Sequence, residues 1–480
     1  MIKITLRYLI FLVVASVASQ SVLAQSNWVD FEDQQERLQF DTNDDQEKDM
    51  VVGDIDNDGD EDIIVVRKRP FSVDGPRVNL LLMNEGGVLV DRTSEFAPEF
   101  ISLPDNARDV LLFEVNNDGW LDMIIANTFG SLPRLYVNLG EDSRGNWLGF
   151  EDQGANGDWY SPQFDINPQA CGVATGDVNG DGFDDLYFPD YNNGLEARLL
   201  INNQDNTFSD QTETRMSAAA RNQAFGTNGF MADMNNDGFI DIVSNDSVAF
   251  GGIGVEIAYN DGDGNFFQTQ VLSQTVASYM AMHADFNNDG RNDIYVVDDF
   301  QDYVLFNNST NANGTINTTR VFHSQSSLTQ NFNGNIEPSD MDNDGFIDMV
   351  VSDVDVDIPG CNRRFTLLQN NGGNNMFNPN DGTNLSWNLQ GSHDTVVIDI
   401  NRDGFKDLFM ATCESYHMFV NTAEAIIGDV NCDGTVNLLD VDPFIDLLAS
   451  GGFKFQADTN GDGIVNLLDV SGFITALSGG

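Results

Sequence analysis

The chain has 480 residues, of which 76 are acidic and 22 basic, giving a formal net charge of −54. A surface this negative repels phosphate backbones and anionic headgroups, which argues against nucleic acid and acidic membranes as partners. A hydrophobic fraction of 41% with 34 Phe residues excludes a mainly disordered chain, and four Cys residues are too few to be the main staple of a chain this long.

The start of the chain, residues 1–24, is typical of a secretory signal peptide. Lys3 and Arg7 form a basic start, an apolar run covers residues 8–18, and residues 22–24 offer a small-residue cleavage site. The apolar run is too short for a permanent membrane helix, and no other run in the sequence is long enough. We therefore expect residues 1–24 to be removed and the mature protein to be exported and soluble.

An Asp-rich motif then recurs seven times. Its copies are nearly evenly spaced and begin at Asp54, Glu114, Asp177, Asp233, Asp285, Asp340 and Asp399. A regular period of this kind indicates repeated supersecondary units. Each motif lies between short apolar runs rich in β-branched residues, which predict two strands joined by an Asp loop. A third run ending in Asn usually follows, and often a fourth with Phe before an acid. Four strands in each of seven repeats predict an all-β fold, a seven-bladed β-propeller over residues 25–424.

The two ends of this region predict a closed ring. After residues 418–421 the seventh repeat has no room for a fourth strand. Residues 27–33 closely resemble residues 146–152, which occupy the fourth-strand position of repeat two. We therefore predict that the amino-terminal segment supplies the outer strand of the last blade, which leaves no open end for edge-to-edge pairing.

The Asp loops have the donor pattern of a calcium site. Counting each loop from its first acid, oxygen-bearing side chains recur at positions 1, 3, 5 and 9, and Gly59 and its equivalents permit the turn at position 6. Closely spaced hard oxygen ligands suit Ca²⁺, and no Cys or His in the loops favours a softer metal. The predicted metal ligands are Asp54, Asp56, Asp58 and Asp62; Glu114, Asn116, Asp118 and Asp122; Asp177, Asn179, Asp181 and Asp185; Asp233, Asn235, Asp237 and Asp241; Asp285, Asn287, Asp289 and Asp293; Asp340, Asp342, Asp344 and Asp348; and Asp399, Asn401, Asp403 and Asp407.

An alternative interpretation needs no metal, because Asn-Asp-Gly clusters are also ordinary hairpin turns. Two loops depart from the pattern. Loop two begins with Glu114, whose longer side chain changes the geometry, and loop seven carries Arg402 and Lys406. The seven-fold recurrence of the same register favours calcium for the set.

The phrases GDIDNDGDEDIIVV from Gly53 and GDVNGDGFDDLYF from Gly176 resemble FG-GAP/VCBS repeats, the blades of the integrin alpha-subunit propeller and of many secreted bacterial proteins. The resemblance covers about residues 27–421. It implies that the Asp loop joins the innermost and second strands and binds Ca²⁺, and that the opposite face contacts partners. Four acids at the far end of the second strand then predict an acidic arc on that opposite face or, alternatively, strand-end capping. They are Asp190, Asp246, Asp298 and Asp353.

A different module begins near residue 425. It contains two loop–helix units with oxygen-bearing residues at the positions of an EF-hand-type loop, but with Asp rather than Glu at position 12. The predicted ligands are Asp429, Asn431, Asp433, the Thr435 carbonyl and Asp440, and then Asp458, Asn460, Asp462, the Ile464 carbonyl and Asp469; Asn437 and Asn466 fall at position 9. Two such units resemble a type I dockerin, assigned to residues 425–480, which implies docking to a cohesin-like module on another protein. The doubled NLLDV sequence suggests two similar faces, although Leu438, Leu439, Leu467 and Leu468 could instead pack the core of the module.

No residue pattern identifies a catalytic site. None of the four His residues lies in a metal motif or near a nucleophile elbow, and His393 fits a core or channel position better than a catalytic one. Cys361 and Cys413 follow the loops of adjacent blades and form a candidate disulfide. The sequence thus predicts a secreted, calcium-binding propeller with up to nine Ca²⁺ sites. It would act as a binding or scaffold module for a protein or carbohydrate ligand. The rival hypothesis is an extracellular polysaccharide-degrading hydrolase or lyase with its catalytic site on the propeller face.

Overall fold

The computed structural model describes residues 29–478 except 70–73, 155–157, 162–169, 191–195, 222–225, 247–253, 274–277, 299–301, 310–313, 323–332, 354–365, 371, 373–376, 378–391, 423–426, 431–434, 451–454 and 461–464. Seven sheets follow one another along the chain, and each is one blade of a seven-bladed β-propeller. The predicted signal peptide lies outside the described residues. Among the residues described, no helix combines the length and the apolar character needed to cross a bilayer.

Within each blade the first three blade strands run outward from the centre in chain order. The innermost strands are β3 (Glu47–Gly53), β7 (Ala107–Phe113), β12 (Ala174–Gly176), β16 (Gly226–Ala232), β20 (Ser278–Ala284), β24 (Asn333–Ser339) and β27 (Ser392–Ile398). The second strands are β4 (Asp62–Lys68), β8 (Asp122–Asn127), β13 (Asp185–Phe188), β17 (Asp241–Asp246), β21 (Asp293–Asp298), β25 (Asp348–Asp353) and β28 (Asp407–Thr412). The third strands are β5 (Leu80–Asn84), β9 (Arg134–Asn138), β14 (Arg198–Asn202), β18 (Gly254–Tyr259), β22 (Tyr303–Asn307), β26 (Thr366–Leu368) and β29 (Tyr416–Asn421).

The outer strands are β6 (Leu89–Asp91), β10 (Phe150–Asp152), β15 (Phe208–Asp210), β19 (Gln268–Ser273), β23 (Thr318–Phe322) and, in blade seven, β1 (Phe31–Asp33). Blade six shows three strands within the described residues. Two short strands that the sequence pattern does not predict, β2 (Leu38–Gln39) and β11 (Tyr160–Ser161), pair in parallel with the outer strands of blades one and three.

The amino-terminal segment closes the ring as predicted. Strand β1 pairs antiparallel with β29, with Phe31 opposite Asn421 and Asp33 opposite Phe419. The innermost strands β27 and β3 are also in contact, so blade seven packs against blade one. The last blade is therefore completed by the start of the described chain.

The hydrophobic core is divided among the seams between blades. Each of seven clusters takes residues from two neighbouring blades, and one of them joins Ile63 and Leu82 of blade one to Phe409 and Met418 of blade seven. The second strands are buried on both faces because each lies between two seams, which explains the continuous apolar run 63–66. Blade packing thus fixes the loops that leave these strands.

The helices are short. In the propeller they are α1 (Thr93–Phe96), α2 (Pro98–Ser102), α3 (Thr212–Arg215) and α4 (Ala218–Arg221), with a 3₁₀ turn at Gln35–Arg37. The carboxy-terminal region contains α5 (Val441–Ser450) and α6 (Val470–Leu477), with 3₁₀ turns at Leu438–Asp440 and Phe455–Ala457. Helices α5 and α6 share their own core, in which the rings of Phe444 and Phe473 stack with centroids 3.9 Å apart.

Candidate calcium loops and docking surface

All seven Asp loops connect the innermost strand to the second strand of a blade, as the resemblance implies. Position 2 of each loop is an apolar residue buried in the inter-blade core, such as Ile55 or Met234. The Gly at position 6 has a positive φ in every loop, between 81° and 91°, which only glycine adopts without strain. The buried residue and the glycine turn together fold the acids back over the end of the blade.

The first carboxylate of every loop accepts a hydrogen bond from the backbone N–H of its position 6 Gly. The seven N···O distances lie between 2.7 and 3.2 Å. Glu114 accepts the same bond from Gly119, so its longer side chain preserves this contact of the turn. These bonds are those of a hairpin turn, and each carboxylate oxygen keeps a second lone pair for a cation.

The position 9 carboxylates have a different structural role from the other three predicted ligands of each loop. Each begins the second strand and is at most 1% exposed, and one oxygen accepts the backbone N–H of the Asn at or just beyond the end of the third strand, at 2.7–2.9 Å. In six loops the other oxygen accepts the N–H of position 2 at 2.8–3.1 Å. These carboxylates therefore fasten the loop to the blade, a role that the sequence analysis did not assign.

Burial raises the pKa of these position 9 carboxylates, and neighbouring loop acids raise it further. The pKa rises to about 8 for Asp62, Asp348 and Asp407 and to about 7 for Asp122, Asp185, Asp241 and Asp293. A bound cation favours the ionised form of such groups, which offsets this cost.

Two loops bring three carboxylates together closely enough to share one ion. The oxygens of Asp54, Asp56 and Asp58 lie within 4.8 Å of one another, and so do those of Asp340, Asp342 and Asp348. Asp54 Oδ1 is shielded from solvent and has no hydrogen-bond partner among the described residues. A buried, unpartnered carboxylate oxygen in an all-oxygen donor set fits Ca²⁺. The other five loops have Asn at position 3, so an amide oxygen would take that place.

One of the two basic residues of loop seven contacts a different loop. Arg402 points toward loop one, where its guanidinium donates to the Asp58 carbonyl at 3.0 Å and pairs with Asp60. Asp58 of loop one lies 3.7 Å from Arg402. The second basic residue of loop seven, Lys406, stays near Asp399, where its charge opposes the rise in the Asp399 pKa that burial causes.

The Asn that ends the third-strand segment joins six of the seven loops to the next blade, a role that the sequence pattern does not indicate. The Nδ2 of Asn138 donates to the Ile55 carbonyl of the preceding blade at 2.9 Å, and five equivalents do the same at 2.7–3.1 Å. The number of residues between the position 9 Asp and this Asn varies from blade to blade, which hides their pairing from a motif search.

We expect the Asn202→Ala substitution to destabilise the propeller by about 2–3 kcal/mol, because it leaves the buried Val115 carbonyl without the donor now 2.8 Å away. The measurement is the free energy of unfolding in urea. The neighbouring Asn203→Ala substitution, at an exposed side chain, is the matched control and should change stability by at most about 0.5 kcal/mol. Equal effects of the two substitutions would contradict the assigned role.

The described parts of the two carboxy-terminal loops share one capping arrangement. Asn437 Oδ1 accepts the Leu439 N–H and Asp440 Oδ2 accepts the Asn437 N–H, while Asn466 and Asp469 repeat both bonds in the second loop. Asp429, Asp440, Asp458 and Asp469 are buried at the loop ends. Four predicted ligands, Asn431, Asp433, Asp462 and Ile464, lie outside the described residues.

The leucines that follow these loops lie on the surface. Leu438, Leu439, Leu467 and Leu468 are 45%, 66%, 72% and 70% exposed. The alternative that they pack the core of the module is therefore wrong. The core is formed instead by Val430, Val441, Phe444, Ile445, Ala457, Val465, Phe473 and Leu477. Each of the two units therefore exposes a Leu-Leu pair at the equivalent place, and we call these four side chains together the leucine face.

The predicted acidic arc on the opposite propeller face is not a surface feature. Asp190, Asp246 and Asp298 are at most 8% exposed, so the predicted exposed arc is wrong for these residues, and the side chain of Asp353 lies outside the described part of the chain. His393 is also buried, and burial together with the charges of Lys48 and Lys68 lowers its pKa to about 3. Cys413 is disulfide-bonded, and its partner, predicted to be Cys361, lies outside the described residues.

Comparison with known proteins agrees with this architecture. A model of the FG-GAP-like repeat family matches residues 177–244 and 285–351, and a model of the dockerin type I domain matches residues 427–478. The sequence matches no curated protein.

Two solved structures show similarity in shape. An Agrocybe aegerita lectin, solved for its specific recognition of non-reducing terminal N-acetylglucosamine, is 18% identical with a TM-score of 0.43, over 77% of this chain and 86% of the lectin. The Photorhabdus luminescens Tc holotoxin pore is 14% identical with a TM-score of 0.35, over 75% of this chain and 16% of the toxin chain. At these scores neither similarity informs function. The chain carries FG-GAP-like repeats in a seven-bladed β-propeller and ends in a type I dockerin domain.

Proposed function

We propose that this protein is an exported, calcium-stabilised β-propeller that binds a protein or carbohydrate ligand and is attached through its dockerin to a cohesin-like module of another protein. In this proposal residues 25–424 form the propeller and residues 425–480 the dockerin. The observation that carries it is the leucine face, because apolar side chains exposed at equivalent places of a capped module are what a partner would cover.

Calcium would occupy up to nine sites. The proposed ligands are positions 1, 3, 5 and 9 of each propeller loop and positions 1, 3, 5, 7 and 12 of each dockerin loop. The three-carboxylate groups at Asp54 and Asp340 and the orphan oxygen of Asp54 support this assignment. Divalent ions would also offset part of the net charge of −54.

A ligand screen separates a binding module from an enzyme. We expect the full-length protein to retain one or more immobilised polysaccharides or proteins in a pull-down without releasing reducing sugar from any polysaccharide. Release of reducing sugar would favour the rival hypothesis of a polysaccharide-degrading enzyme. A preparation treated with chelator is the control, since it tests whether binding needs the calcium-loaded ring.

A further inference from the structure

Position 4 of the Asp loops has one backbone conformation throughout the propeller. The φ angle lies between 55° and 59° at Asn57, Asn117, Asn236, Asn288, Asn343 and Arg402. Gly180 takes the same place in loop three with a φ of 72°. Asn is the non-glycine residue best suited to this left-handed region, so its recurrence follows from the backbone geometry.

The position 4 side chain reaches out of its own loop to the loop of the next blade. In five cases the Asn Nδ2 donates to the carbonyl of the position 6 Gly in the following loop, at 2.6–3.2 Å. The pairs are Asn57 with Gly119, Asn117 with Gly182, Asn236 with Gly290, Asn288 with Gly345, and Asn343 with Gly404.

The acceptor glycine is the residue that holds the next loop in shape. Gly290, for example, accepts from Asn236 through its carbonyl and donates through its N–H to the first carboxylate of its own loop, Asp285, at 2.7 Å. Ordering of one loop therefore fixes a glycine on which the position 1 acid of the next loop depends. That acid is also a proposed calcium ligand.

Between blade seven and blade one, where the ring closes, a different residue type links the two loops. Arg402 in loop seven donates to the Asp58 carbonyl of loop one at 3.0 Å, and its guanidinium lies beside the Asp58 and Asp60 carboxylates. Gly180 has no side chain, so it cannot form the equivalent bond from loop three to loop four. The chain of inter-loop bonds thus runs from loop four through loops seven and one to loop three.

We propose that the seven Asp loops form one hydrogen-bonded belt that couples their ordering, with its single gap between blades three and four. The use of this belt rests on the proposed calcium binding: a cation that orders one loop raises the calcium affinity of its neighbour along the belt. Coupling between adjacent sites of this kind typically changes affinity about 5–150-fold.

The Gly180→Asn substitution tests the gap directly. A side chain fits there, because the φ suits Asn and no atom lies within 4 Å of the added Cβ. We expect it to supply the missing bond, raise the melting temperature of the chelator-treated protein by about 1–2 °C, and steepen the calcium-binding isotherm. The opposite substitution, Asn236→Gly, keeps the backbone conformation but removes one bond, and should lower both quantities.

Gly86→Asn is the matched control. Gly86 is exposed, has a φ of 68° and has no atom within 4 Å of an added Cβ, but it lies outside the belt. Unchanged melting temperature and isotherm in both Gly180→Asn and Asn236→Gly, relative to this control, would overturn the belt. If the wild-type protein binds no calcium, the proposed calcium function fails. The melting temperatures of the chelated variants still show whether the belt couples the loops.

Discussion

At pH 8, a calcium chelator is expected to lower the melting temperature of the full-length protein by about 10–20 °C. A site occupied at ~100 times its dissociation constant adds about 2.7 kcal/mol, and several such sites act on a chain that loses roughly 1–2 °C per kcal/mol. The physical reason is the crowding of acids in loops whose position 9 carboxylates are also buried. Differential scanning calorimetry with and without chelator measures the effect.

The same carboxylates give the chelated protein a defined pH dependence. Their pKa rises in the folded state to about 7 or 8, from about 3.9 in the unfolded chain. Between these values the folded state binds more protons than the unfolded state. These carboxylates therefore make their full contribution to the free energy of unfolding below pH 4. That contribution is lost as the pH rises through 7 to 8.

We accordingly expect the melting temperature in chelator to fall from pH 5 to pH 8, and calcium to restore most of the loss at pH 8. Magnesium at the same concentration is the control and should restore much less, because it demands a tighter octahedral geometry. A chelated protein that melts at the same temperature across this pH range, and at the same temperature as the calcium-loaded protein, would contradict the prediction.

Replacing all four leucines of the leucine face by Asp is expected to weaken binding to immobilised type I cohesin modules at least 100-fold. Each buried Leu contributes about 1.5–3 kcal/mol to an apolar contact, and a charge in its place adds a desolvation cost. Folding should be unaffected, because these side chains are 45–72% exposed. Surface plasmon resonance measures the binding and circular dichroism the melting of the variant.

Variants that change only Leu438 and Leu439, or only Leu467 and Leu468, show whether the two pairs act together. If the partner covers one pair at a time, each double variant should keep measurable binding and only the fourfold variant should lose it. Ile427→Asp, at a 37% exposed position outside the leucine face, is the matched control. Wild-type binding by the fourfold variant would show that the partner uses another surface.

Much of the fold follows from local pattern. The turns of the seven loops could be predicted, because the glycine that recurs at Gly59 and its equivalents indicates a backbone position with positive φ. The closure of the ring by Phe31 was predictable because one segment was missing from the last repeat and a matching one was present at the start. The parallel strands β2 and β11 could not be predicted, because strands this short have no recognisable periodicity.

The candidate sites include features that the local sequence pattern does not predict. An apolar residue after a loop can pack inward or face a partner, and periodicity does not separate Leu439, which is exposed, from Val441, which is buried. A carboxylate such as Asp62 reads as a metal ligand from its spacing, but its bond to the Asn84 N–H depends on a strand that follows at no fixed distance. The burial of Asp246 is likewise not indicated by the residue pattern of its own strand.

The pairing of Phe31 with Asn421 also sets an order for folding. These residues lie at opposite ends of the propeller sequence, so their pairing closes a loop that includes nearly the whole ring. Contacts between residues so far apart in sequence form slowly. During synthesis the earliest part of the propeller must stay unpaired until the final blade has emerged. Once the final blade has emerged, and until β1 pairs with β29, that blade presents a bare strand edge. A second chain that inserts its own first segment there would produce an exchanged dimer.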